Sequence, residues 1–201
     1  YKKKRRRMML TLDDIKDVRA YEKEREEFRK NIIAIKKIRR IHVGKFLTFM
    51  FENKETMRFQ IQEMARAEKL YTDEKIEGEL KVYNDLIPSR NILKSTMFIE
   101  LTNESQLREW LPKLAGIQKY IQINFGDETV KAYELDEERL TRDDEATSAV
   151  HYIFFEFPDD QREKFLKCDN EISLSINHPQ YTHTAILSTA SIAQLKNDLV
   201  E

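Results

Sequence analysis

Val150-His-Tyr-Ile-Phe-Phe-Glu-Phe157, Asp159-Asp-Gln-Arg-Glu-Lys-Phe-Leu-Lys167 and Ile172-Ser-Leu-Ser-Ile-Asn-His178 follow one another almost without a gap. In the first, His151, Ile153, Phe155 and Phe157 fall on one side at a period of two, the mark of a strand. The second opens with acids and closes with a base, as a short helix does. The third alternates Ile172, Leu174 and Ile176 with Ser173, Ser175 and Asn177 and is again a strand. The same order occurs upstream. Thr96 to Leu101 reads as a strand, Glu104 to Leu114 as a helix around Trp110, and Tyr120 to Phe125 as a strand that turns at Gly126-Asp127 into Thr129 to Leu135. Two strand–helix–strand units predict right-handed crossovers. The polar stretch from Asp136 to Thr147 joins them, and a last helix covers about Ala190 to Val200.

The preceding part is mainly helical. Thr11 caps a helix start with acids behind it. Tyr21, Phe28, Ile32 and Ile35 share one face of a helix from about Tyr21 to Lys37. Ile41 to Phe51 reads as a hairpin turning at Gly44-Lys45, its second arm apolar on both faces and so covered on both sides. Thr72 caps a further helix, with Ile76, Leu80, Tyr83 and Ile87 as its stripe, and Pro88 stops it. The expected fold is α+β: a helical N-terminal region with a β-hairpin, then a mixed β-sheet packed against helices. Residues 1–9 are expected to be a disordered basic tail. Residues 10–201 form a single domain, mainly helical over 10–90 and sheet over 91–201.

Composition narrows the function. The 35 basic and 36 acidic residues nearly balance, but six basic residues are contiguous in Lys2 to Arg7. Without them, 29 basic against 36 acidic residues give a net charge of −7, so the folded body is a poor partner for nucleic acid. No run of about 18 apolar residues offers a membrane span. The basic start is followed by no apolar signal-peptide core, which predicts a cytoplasmic protein. The single cysteine, Cys168, excludes an internal disulfide and an all-cysteine metal site. Glycine-rich phosphate loops, Gly-x-Ser-x-Gly elbows and His-Glu-x-x-His helices are missing from the sequence, so no catalytic constellation is recognisable.

Chemistry is therefore sought where polar residues fall on apolar faces. In Glu55 to Tyr71, a helix stripe of Met57, Ile61, Met64, Ala67 and Tyr71 would contain Gln60 and Glu68. A buried carboxylate must find a partner or a proton. Glu63 and Arg66 are spaced to pair along the helix surface. Glu100 shares a strand face with Thr96 and Phe98. His151 and His178 each point inward at a strand end, whereas His42 faces outward beside a turn. Parallel pairing of their strands would put His151 and His178 at opposite ends of the sheet; another arrangement would let them meet. Glu68, His151 and His178 would suit iron, manganese or zinc. The same polar groups could instead bond to backbone and fix how the helix docks, or meet a second copy of the chain.

Leu10-Thr-Leu-Asp-Asp-Ile15, Arg39-Arg-Ile-His-Val-Gly44, Phe51-Glu-Asn53 and Gln60-Ile-Gln-Glu-Met-Ala-Arg-Ala-Glu68 are similar to a bacterial family, the domain-of-unknown-function 3501 family. The resemblance runs on through Tyr83-Asn84, Leu86-Ile-Pro88, Thr96-Met-Phe-Ile-Glu100, Ser148-Ala-Val-His151 and His178-Pro-x-Tyr181. It covers nearly the whole chain after Met9. Genes of that family tend to lie beside rubrerythrin-like proteins and iron–sulfur reductase subunits. The resemblance thus implies a cytosolic accessory or binding protein with redox partner proteins, in peroxide defence or electron transfer. The alternative is a small metal-binding protein or metal-dependent enzyme using the inward Glu and His residues.

Overall fold

The computed structural model describes residues 9–134 and 147–200. The basic run and the polar stretch after residue 135, apart from Thr147, lie outside the described residues. A 3-10 turn, Leu12–Asp14, precedes α1 (Val18–Arg39), whose N-cap Asp17 accepts from the Ala20 N–H. The hairpin follows as β1 (Arg40–Val43) and β2 (Leu47–Phe51), and every residue of β2 is buried as its two apolar faces require. Then come α2 (Lys54–Ala67), α3 (Asp73–Tyr83), β3 (Ile92–Ile99), α4 (Glu104–Lys113), β4 (Ile121–Phe125) and β5 (Glu128–Tyr133). The chain continues through β6 (Val150–Glu156), α5 (Asp159–Lys167), β7 (Ile172–His178), β8 (Tyr181–Ile186) and α6 (Thr189–Val200).

The strand order is β1-β2-β3-β6-β5-β4-β7-β8, and every neighbouring pair is antiparallel. The helix-and-strand mixture is as expected, but the mixed sheet and its crossovers are not. In each strand–helix–strand unit the two strands lie three places apart in the sheet and run in opposite directions. The sheet is curled into a nearly closed barrel, and the connecting helix crosses an end of it instead of a face. Trp110 and Leu111 of α4 pack on the core at one end, Phe165 and Leu166 of α5 at the other. Between them the interior is filled by alternate side chains such as Phe49, Leu93, Met97, Phe155, Ile123 and Leu174, all fully buried. Burying such side chains contributes about 1.5–3 kcal/mol each.

The two outer strands, β1 and β8, meet through side chains. The Tyr181 hydroxyl donates to the Val43 carbonyl at 2.7 Å and accepts from the Phe46 N–H at 3.2 Å. Gly44 adopts φ +73°, and a Cβ there would stand 2.4 Å from the Tyr181 hydroxyl oxygen. Glycine is required at this place both for its conformation and for its bareness.

α2 and α3 cover part of the barrel's outside. Met57, Ile61 and Ala65 of α2 and Ile76 and Leu80 of α3 pack with Phe154 of β6. The expected stripe is corrected here. α2 buries Thr56, Met57, Ile61, Gln62 and Ala65, not Met64, Ala67 and Tyr71. The helix stops a turn early: Lys69 takes the left-handed conformation at φ +54°, and the Leu70 N–H returns to the Ala65 carbonyl at 2.9 Å. This is a Schellman stop, with a lysine where glycine is usual. Glu68 therefore lies past the helix and is exposed, as is Tyr71.

Candidate functional site

Besides Thr56, α2 buries the polar Gln62, whose side-chain amide holds the backbone of Lys16 from both sides: Oε1 accepts the Lys16 N–H at 2.7 Å and Nε2 donates to the Lys16 carbonyl at 3.0 Å. Glu63 and Arg66 do not pair with each other. Glu63 accepts from the Tyr21 hydroxyl at 2.6 Å and takes a two-point grip from Arg25 at 2.8 and 2.9 Å, while Arg66 pairs with Glu22. Both tie α2 to α1. The Arg25 hydrogen bonds hold the Glu63 carboxyl below the usual range. Burial, reinforced by the Glu63 hydrogen bond, pushes the Tyr21 phenol up. Glu100 is exposed and accepts from the Thr48 hydroxyl at 3.0 Å, which leaves that hydroxyl to accept from His42 Nδ1 at 3.0 Å.

His151 and His178 are inward as expected, and both stand at the barrel end that α4 covers. Strands β5 and β4 separate them. His178 Nε2 donates to the Ala115 carbonyl and Nδ1 accepts the Gln180 N–H, each at 3.2 Å, so no ring lone pair is left for a metal. His151 is wholly buried. Its Nε2 lies 2.9 Å from the Ser148 carbonyl and 2.9 Å from Thr147 Oγ1, and its Nδ1 lies 3.2 Å from Glu134 Oε2. A carbonyl can only accept, so Nε2 carries a proton. An ionised carboxylate can only accept, so either Nδ1 carries one too or the carboxyl does. The order hydroxyl–imidazole–carboxylate is that of a nucleophilic triad, but an Nε2 already protonated toward a carbonyl cannot take the Thr147 proton. Among the described residues no group of three or more His, Cys, Asp or Glu could hold a metal ion. Gln60, Glu68, His151 and His178 do not converge on one bonded cluster.

Gln60 opens onto something else. Arg40, Met50, Thr96 and Tyr152 are register partners across β1, β2, β3 and β6, forming a row on the barrel's outer face. With Phe98 and Val150 of the next row they floor a cavity of about 220 Å³. Its walls are Gln60 and Met57 of α2, Tyr83 at the end of α3, Leu86 beyond it, and Lys36 of α1. Burial raises the Tyr83 phenol, with Gln60 beside it acting the other way. At one margin sits Glu52, buried, its carboxylate accepting from Thr56 Oγ1 at 2.6 Å and Thr96 Oγ1 at 2.8 Å. Glu52 precedes the α2 N-cap, Asn53, so the positive end of the helix helps to hold its charge.

The profile of the family described as "Protein of unknown function (DUF3501)" matches residues 9–199. The chain belongs to this family. It is also similar to a solved structure from Burkholderia pseudomallei K96243, titled a novel protein of unknown function, at 37% identity. That match covers 96% of this chain and 100% of the other, with a TM-score of 0.88. No curated protein matches the chain.

Two polar centres escaped the sequence reading. Arg39 is 1% exposed; its Nε donates to the Phe51 carbonyl at 2.7 Å, one Nη to the Glu52 carbonyl at 3.0 Å, and it pairs with Asp198 of α6. An arginine at a helix-to-strand junction reads as solvated unless the returning C-terminal helix is known to cover it. The cleft had one legible signal: Arg40 and His42 alternate with Ile41 and Val43 and so had to face outward.

Proposed function

We propose that this protein is an accessory binding protein, acting through its outer cleft and through partners, and not by catalysis of its own. The observation that carries this reading is the division of the molecule. The barrel interior is packed with side chains and the inward His151 and His178 are spent on backbone and Glu134, while the concave polar surface lies outside, between β1–β2–β3–β6 and the helices. A cleft lined by apolar groups with a few placed polar ones is the usual form of a small-ligand site. The resemblance to a family whose genes neighbour rubrerythrin-like and iron–sulfur proteins supports a redox partner, and the single cysteine argues that the cluster is the partner's.

The test is cross-linking in native lysate followed by mass spectrometry. Recovery of the same rubrerythrin-like or iron–sulfur protein, lost when the outer face is altered by Arg40→Glu, is the expected result. Repeated capture without any redox protein overturns the redox partnership.

A further inference from the structure

The cleft has an order along its floor. Adjacent strands lie about 4.8 Å apart, so the backbone of the row Arg40–Met50–Thr96–Tyr152 spans roughly 14 Å along the sheet, with a residue bearing a cation at one end and one bearing a phenol at the other. Arg40 is exposed, and its side chain makes no hydrogen bond or ion pair with the described residues. Lys36, which also lines the cleft, lies over the Phe59 ring at 5.4 Å and pairs with no carboxylate among the described residues. The charge of Glu52 is answered within the fold by two hydroxyls and a helix N-terminus, so it asks for no cation. The unmatched charge of the cleft is therefore positive, and it lies at one end. Between the ends the floor is mainly apolar, with Met50, Phe98 and Val150 faced by Met57 and Leu86, and its one hydroxyl, that of Thr96, is already given to Glu52. At the far end Tyr83, Gln60 and Tyr152 supply hydroxyls and an amide.

Resting on the binding reading above, we infer that the cleft takes a small organic carboxylate with an apolar or aromatic body. The carboxylate lies against Arg40, with Lys36 beside it, and the body lies over Met50 toward Tyr152. A guanidinium grips a carboxylate at two points, which fixes direction as well as charge. At about 220 Å³ the cavity is below the size of a drug-like site, so the ligand is small. Glu68 and Glu79, which lie near Tyr83, make the far end unfavourable for the anionic group and set the same direction.

Three probes of one shape decide this: 3-phenylpropionate, 3-phenylpropionamide and 3-phenylpropylamine, titrated into the whole protein by calorimetry with NMR to locate the binding. The expected result is a Kd for the acid at least about tenfold below that of the amide, a preference lost in Arg40→Gln. It also weakens with added salt. Arg40→Gln should leave Tm unchanged, because the side chain has no partner to lose among the described residues. Equal or tighter binding of the amide or amine in the cleft, or an acid preference that survives Arg40→Gln, overturns the ligand class and leaves the cleft standing. If none of the three perturbs resonances of Met50, Tyr83 or Tyr152, the cleft itself falls as a binding site, and the ligand class with it.

Discussion

The Tyr181 hydroxyl reaches across the seam between the first and last strands to donate to the Val43 carbonyl at 2.7 Å. The same oxygen accepts the Phe46 N–H, so one phenol holds both sides of the β1–β2 turn. Tyr181→Phe keeps the ring and removes both bonds. The expected loss is about 1–3 kcal/mol, read by urea denaturation, with faster amide exchange at Phe46. Unchanged exchange there would show that the seam does not depend on this oxygen.

Gly44→Ala should be worse than an ordinary glycine change. The backbone is in the left-handed region, and the added Cβ would meet the Tyr181 oxygen at 2.4 Å and the His183 ring at 2.6 Å. A destabilisation larger than that of Tyr181→Phe is expected. In the double variant the penalty should shrink, because part of the clash is with the oxygen that Tyr181→Phe removes.

Glu134 and His151 form a pair with almost no exposure, 5% and 0% for the side chains. Removing one partner leaves the other buried without its hydrogen bond, which costs about 1–3 kcal/mol for a neutral group and about 3–5 kcal/mol for a charged one. Glu134→Ala and His151→Ala should each fall within those ranges in chemical denaturation. The double variant should cost much less than the sum of the two.

Tyr21 gives the fold an alkaline limit. Its phenol is raised above the ordinary value, so the folded state holds that proton more tightly than the unfolded chain. The stabilisation is complete below the unfolded value of about 10 and is lost as pH rises above it. Glu63, lowered by Arg25, acts in the opposite range: its contribution is present above the ordinary carboxyl value and is lost as pH falls below it. Denaturation midpoints followed from pH 9 to 11 should fall more steeply in the wild type than in Tyr21→Phe. Parallel curves would remove the tyrosine from the account.

The strands at 150–156 and 172–178 could be read directly, because period-two alternation survives in Ile153, Phe155, Ile172, Leu174 and Ile176 whatever their neighbours are. Their pairing could not, since local sequence carries no record of which strand lies beside which. A helix crossing a barrel end looks the same in sequence as one crossing a sheet face. β8 carries no strand signature in the sequence, because its inward positions are Tyr181, His183 and Ala185, which do not form an aliphatic pattern. The end of α2 is hidden in the sequence because Lys69 does what a glycine usually signals. Gln60 drew notice for a stripe that the helix does not bury, and the cleft it lines is assembled from residues as distant as Lys36 and Tyr152. Proximity of that kind exists only after the barrel has curled.

The Val43–Tyr181 seam joins residues 138 positions apart. At a synthesis rate of about 5–20 residues per second, β1 leaves the ribosome on the order of ten seconds before its closing partner exists. Throughout that interval its outer edge lacks the Tyr181 hydroxyl and the rest of β8 that later stand over it, and it is open to other nascent strands. Holding this edge in a productive state until β8 arrives is a burden on synthesis, and a chaperone or an early-binding partner would relieve it most at the β1 side.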